Sequence, residues 1–166
     1  MKAMNLLVPA MIAVFFANPQ GLNIAEGAGQ EGSAASVEAV NVNQEMAKLG
    51  YTADSLKGFW IEKITGRGYI AIEEGPKAGT YYVSIRWNNS ASEAYIWHMT
   101  AEPISSHAIG YTNGKHFIIT YSEDGTESEE LKYENGTGTL TLNSANEIMW
   151  QDDVDGAGRN TVFVSK

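Results

Sequence analysis

Beyond Lys57 the chain falls into short stretches in which apolar and polar residues alternate, separated by clusters of Gly, Asn and Asp. Stretches of this period and length predict strands. They are expected near Gly58 to Ile64, Gly68 to Glu74, Thr80 to Trp87, Glu93 to Ala101, His107 to Tyr111, Lys115 to Tyr121, Ser128 to Tyr133, Gly138 to Leu142, Glu147 to Asp152 and Thr161 to Val164. The separators Gly75-Pro76-Lys77-Ala78-Gly79, Thr112-Asn113-Gly114, Glu123-Asp124-Gly125 and Asn135-Gly136 read as turns, because Asn-Gly and Asp-Gly accept the positive φ that tight hairpins demand. Connections this short cannot carry the crossovers of parallel strands, so the sheet should be antiparallel. The predicted fold class is all-β: a single antiparallel up-and-down β-barrel of about eight to ten strands, since closure removes exposed edges, with a sandwich as the alternative.

The hairpin TYYVSIRWNNSASEAYIWHMT, Thr80 to Thr100, shows the alternation most clearly. With Asn88 to Ser92 as its loop, Trp87 would face Glu93, Ile85 would face Tyr95, Val83 would face Trp97 and Tyr81 would face Met99. Parity then puts Tyr81, Val83, Ile85, Trp87, Tyr95, Trp97 and Met99 on the inner face. Tyr82, Ser84, Arg86, Ala94, Ile96, His98 and Thr100 fall outside. The inner aromatic set is core, and it leaves open whether the barrel is filled or hollow, because small barrels occur in both forms. If hollow, the ligand-lining residues would be Tyr81, Ile85, Trp87, Tyr95, Trp97 and Met99, with tyrosine hydroxyls and indole N–H groups orienting a guest.

The N-terminal part reads differently. Met1 to Ala17 carries Lys2 and then an apolar run from Leu6, the shape of a secretory signal peptide; the alternative is a buried helix or uncleaved anchor. The run is short for a permanent span, which needs roughly 20 residues. Small residues at Ala25 and at Ala35 both offer a cleavage point. The expected organisation is therefore a signal peptide over 1–25, a linker with a short helix over 26–50, and a β-barrel domain over 51–166. In the linker, Asn43 to Leu49 would form the helix, with Met46 and Leu49 on one side and Gly50 as its stop. A further turn is expected at Thr52 to Leu56, capped by Thr52 or Asp54.

Charge and cysteine content narrow the functions. The 166 residues hold 11 Lys and Arg against 20 Asp and Glu, a net charge of -9. That surface disfavours nucleic acid and anionic membrane, which require clustered cations. The chain has no cysteine, which excludes disulfides, thiol catalysis and cysteine-ligated zinc. Its expected location is outside the cytoplasm, extracellular or periplasmic.

Gly58-Phe59-Trp60, following a short helical turn, resembles the Gly-x-Trp opening of the lipocalins and the wider calycin group, and the short meander is similar to avidin-like barrels. The resemblance implies that Trp60 helps close one end of the barrel, with Arg159 as the candidate to pack over it. It also implies binding of a small, mostly apolar molecule. The Thr-Asp-Tyr motif of the lipocalins is absent.

Catalytic and metal motifs give little. His98, His107 and His116 match no metal-ligand spacing and read as surface or turn residues. Asp152-Asp153-Val154-Asp155-Gly156 lacks the full calcium-loop pattern and reads as a solvated acidic turn. No nucleophile elbow, phosphate loop or dinucleotide fingerprint occurs. No cofactor is expected. The sequence thus favours a non-enzymatic binder of a small hydrophobic or aromatic ligand; the alternatives are an acidic protein-interaction module facing a basic partner and a hydrolase with carboxylates on neighbouring strands.

Overall fold

The computed structural model describes residue 42 and residues 44–166. The expected signal segment, 1–25, and the spacer to residue 41 lie outside the described residues. Eight strands follow one another: β1 (Gly58–Glu62), β2 (Gly68–Glu74), β3 (Tyr81–Asn88), β4 (Glu93–Ser105), β5 (Ala108–Tyr121), β6 (Glu127–Leu142), β7 (Glu147–Asp152) and β8 (Val162–Ser165). Each pairs antiparallel with the next, and β8 returns to β1 through Trp60↔Ser165, Ile61↔Val164 and Glu62↔Phe163, closing the ring. The antiparallel up-and-down barrel expected from the alternation is the observed fold.

Ten expected strands become eight because two turn signals are bulges within long strands. Thr112-Asn113-Gly114 lies inside β5 and Asn135-Gly136 inside β6, where Gly114 pairs with Gly136 between breaks in register. Asn135 takes its positive φ of 60° in the bulge rather than in a hairpin. A Cβ at Gly114 would lie 2.9 Å from the Tyr111 ring, and one at Gly136 2.7 Å from the Tyr133 ring, so both positions need glycine for space. The Asn113 side chain joins the irregularity, its Oδ1 accepting from the Thr100 N–H at 2.9 Å.

The β3–β4 hairpin corrects the expected register by two residues. Trp87 pairs with Tyr95, Ile85 with Trp97, Val83 with Met99 and Tyr81 with Ala101. A slip of two leaves every side chain on its face, so the inner and outer sets stand as expected.

One end of the barrel is closed by the segment preceding β1. Residues 44–48 form a short helix, Gly50 ends it at φ +79°, and a 3-10 turn follows at Ala53–Leu56. Met46 and Leu56 enter the core, where they join Trp60, Ile70, Ile72, Ile109, Leu140 and Leu142. Leu49, expected beside Met46, is instead exposed. The Trp60 indole donates to the Leu56 carbonyl at 2.9 Å, and the Tyr81 hydroxyl donates to Asp54 at 2.8 Å. Burial first, and then the bond to Asp54, pushes the Tyr81 hydroxyl up to about 12, while that same bond holds the Asp54 carboxyl below its usual range.

Candidate functional site

The opposite end, the mouth, is where the β1–β2 turn, the end of β3 and the β7–β8 loop (residues 153–161) meet. The expected lining residues divide along the barrel axis. Tyr81, Ile85, Trp97 and Met99 are buried in the core, whereas Trp87 and Tyr95 are half-buried at the mouth. Val83 and Ile85 are 0% exposed, so no water-sized void opens against them, and the middle of the barrel is packed at that level. Space accessible to a guest lies higher. A depression of about 540 Å³ is bordered by Trp87, Ile64 and Val162 and rimmed by Glu62, Lys63, Thr65, Asn160 and Thr161.

Trp87 owes its position to glycine. A Cβ on Gly68, its partner on β2, would stand 2.6 Å from the indole, so the bare backbone lets the ring lie flat across β2. The Glu62 carboxylate organises the turn beside it, accepting from the N–H groups of Ile64 (2.8 Å), Thr65 (2.6 Å) and Gly66 (2.9 Å) and from the Thr65 hydroxyl. Burial alone would raise the Glu62 carboxyl, but these donors outweigh it and hold the group below its usual range.

Beneath the mouth lies a cluster that the sequence did not reveal. His116 stacks on Trp97 with ring centroids 4.2 Å apart and planes within 16°, and Tyr95 and Tyr133 meet its ring edgewise. Trp97 donates to the Tyr133 hydroxyl at 2.9 Å; Trp150 donates to the Tyr111 hydroxyl at 3.1 Å; Tyr111 donates to Asp152 at 2.7 Å. Asp152, 0% exposed, also accepts the N–H of Val154 at 2.9 Å and so ties the β7–β8 loop to the barrel wall. Burial pushes the Tyr111 and Tyr133 hydroxyls up, with Asp152 adding to the rise in both. His116 Nδ1 stands 3.3 Å from an Asp155 oxygen, yet both ring nitrogens are buried without a hydrogen-bond partner. Burial holds its imidazole below the usual range, against the pull of Asp155 and Asp152.

Three expectations are corrected here. His116 is buried within a strand rather than at the surface or in a turn: the bulge at Gly114 reverses the parity of β5, so His116 points inward although Tyr111 does so too, while His107 lies in the β4–β5 turn as expected, though buried there. His98 remains on the outer face, its Nδ1 3.1 Å from the Tyr82 hydroxyl. The acidic segment beginning at Asp152 is not wholly solvated, because Asp152 continues the inward positions of Ile148 and Trp150. Arg159 does not serve Trp60: it is exposed in the β7–β8 loop, beyond the mouth, while Trp60 bonds to the closing turn at the other end. Paired glycines facing each other across two long polar strands were the available sign that parity would reverse.

Among the described residues no group of three His, Asp or Glu side chains is placed to hold a metal ion. No family model, curated protein or solved structure matches the chain.

Proposed function

We propose that this protein is an exported, non-enzymatic binding protein with a lipocalin-like barrel, and that it takes a small apolar or aromatic molecule at the mouth against Trp87. One observation carries the reading. The depression of about 540 Å³ has a half-buried indole on its wall and polar groups on its rim, within the roughly 300–1,000 Å³ of small-molecule sites. Trp87 supplies a flat apolar face, and Lys63, Asn160 and Thr161 supply donors that orient a polar tip. Tyr95 lies next to it across the β3–β4 pair, while Trp97, one inward position deeper, supports the floor. The 3-10 turn beneath Trp60 agrees with a lipocalin-like closed end.

The test is titration with the neutral fluorescent probe N-phenyl-1-naphthylamine, followed by probe emission and by quenching of tryptophan. Saturable binding is expected, weakened at least about tenfold by Trp87→Ala, the equivalent of losing one good aromatic contact. Ile85→Val, a change in the packed interior, should leave the affinity unchanged. Binding that is indifferent to Trp87 and sensitive to Ile85 would move the site into the barrel; no saturable binding would remove this reading.

A further inference from the structure

The geometry points to the uncovered edge of β6 as a docking site for a basic, extended segment of a partner protein, added to the sheet as a further strand. β6 runs Glu127–Leu142, but β7 pairs only with Gly138–Leu142, and the last contact beyond that ladder is the Asp153 N–H donating to the Thr137 carbonyl at 2.9 Å. Residues 127–134 pair with β5 on one side and, among the described residues, with no strand on the other. Such an edge presents alternate unpaired N–H and C=O groups, which is the template for strand addition. It is also open to solvent: the side chains of Glu127 to Lys132 are exposed.

Side chains then select the occupant. Leu131, 49% exposed, extends an outer row in which Arg86, Ile96, Phe117 and Leu131 stand opposite one another on β3 to β6, and so offers an incoming strand an apolar anchor. Glu127 and Glu129 share its face, Glu130 projects from the opposite face of the same edge, and Glu134, with Glu123 and Asp124 in the preceding turn, extends the acidic surroundings. The cation on this stretch, Lys132, is engaged by Glu130 at 3.2 Å. A second copy of this chain pairing edge to edge would set carboxylate against carboxylate, which is destabilising. The charges that bar self-association accept alternating Lys or Arg side chains of a partner strand. This site goes beyond the ligand-binding reading and does not depend on the mouth.

The test uses the full chain and a synthetic peptide alternating lysine with threonine over roughly ten residues, long enough to span the edge. Binding should protect amides of residues 127–134 from hydrogen exchange and leave those of the β7–β8 loop unchanged. A peptide of the same charge with alternate backbone amides N-methylated should bind at least about tenfold more weakly, because it cannot complete the ladder. The Glu127→Gln/Glu129→Gln/Glu130→Gln variant, altered only at exposed positions, should weaken the parent peptide by a similar factor. Equal binding of the methylated peptide would reduce the contact to diffuse charge attraction and overturn the proposal. Protection elsewhere on the barrel, absence of binding, or dimerisation of the free protein through this edge would overturn it as well.

Discussion

The two ends of the barrel are built from different materials. At the closed end, Met46 and Leu56 descend as an apolar plug, and the Leu56 backbone serves the wall as well, its carbonyl receiving the Trp60 indole. At the mouth, the covering element is the β7–β8 loop, held by the buried Asp152 carboxylate and packed through Gly158 on the Trp150 ring, while Trp87 beside it stays only half covered. An apolar plug excludes water and contributes through area, whereas a polar cover holds only while its hydrogen bonds and charges are satisfied. The end sealed by apolar burial is thus separate from the end that leaves the Trp87 indole partly uncovered.

The sharpest way to break this contrast is to delete equal volume at each end. Leu56→Ala leaves a cavity in a fully buried position and should cost about 2–5 kcal/mol, while Ile118→Ala, at a half-buried inward position paired with Tyr95, should cost about 1 kcal/mol or less. Urea unfolding of both variants measures it. Equal losses would mean that the mouth is as much a part of the stabilising core as the plug.

An intermediate effect is expected from pH, and it too separates the ends. Burial lowers both His107, in the β4–β5 turn near the closing segment, and His116 beneath the mouth. For a histidine whose folded value is depressed, the unfolded chain binds the extra proton first, so stability falls as pH drops below the ordinary value of 6.5 and levels off below the folded value. Glu62 acts in the same sense at lower pH: its stabilisation is full above 4.5, the ordinary value, and is lost as pH falls through the lowered folded value. His107 lies 3.3 Å from the Ser105 hydroxyl, whereas the His116 ring nitrogens have no hydrogen-bond partner and face Asp152, Asp155 and Lys132. His116→Gln should therefore flatten the stability profile between about pH 7 and 5 more than His107→Gln does, and Glu62→Gln should flatten only the part below about pH 4.5. Denaturation midpoints across that range check the assignment. A larger change from His107→Gln would place the acid-sensitive element at the closed end.

What could be read in advance follows the same division. Alternation from Tyr81 to Met99 revealed the inner face, because period two survives a two-residue error in register: Ile85 meets Trp97 rather than Tyr95 and still points inward. The closing turn was legible from Thr52 to Leu56 because its capping chemistry is local. The cluster under the mouth was not. His116, Tyr133 and Asp152 come from three strands, and their meeting depends on paired bulges at Gly114 and Gly136 whose local sequences are those of hairpin turns. Local propensity cannot tell a positive φ in a bulge from one in a turn, since the choice rests on the neighbouring strand. The open edge of β6 was hidden for the same reason, as it exists only when Ser128 to Tyr133 and Gly138 to Leu142 form one strand.

The smallest expected effect concerns the charged rim. Lys63 Nζ reaches Glu147 at 2.6 Å, and that contact, followed by the Asn143 amide, holds the Glu147 carboxyl below its usual range. The Lys63 side chain is 54% exposed, so solvent and salt screen the pair. Lys63→Met should lower the thermal midpoint by about 2 °C or less, and the difference should vanish at roughly 1 M salt. The same substitution removes a donor from the border of the Trp87 depression, so it should alter affinity for an anionic analogue of the naphthylamine probe more than for the neutral one. A thermal loss as large as that of Leu56→Ala, persisting in high salt, would make the rim a structural clamp and erase the distinction between the two ends. A small, salt-sensitive loss joined to a change in probe preference would show that the mouth's charges serve recognition, while the Met46 and Leu56 plug carries the stability.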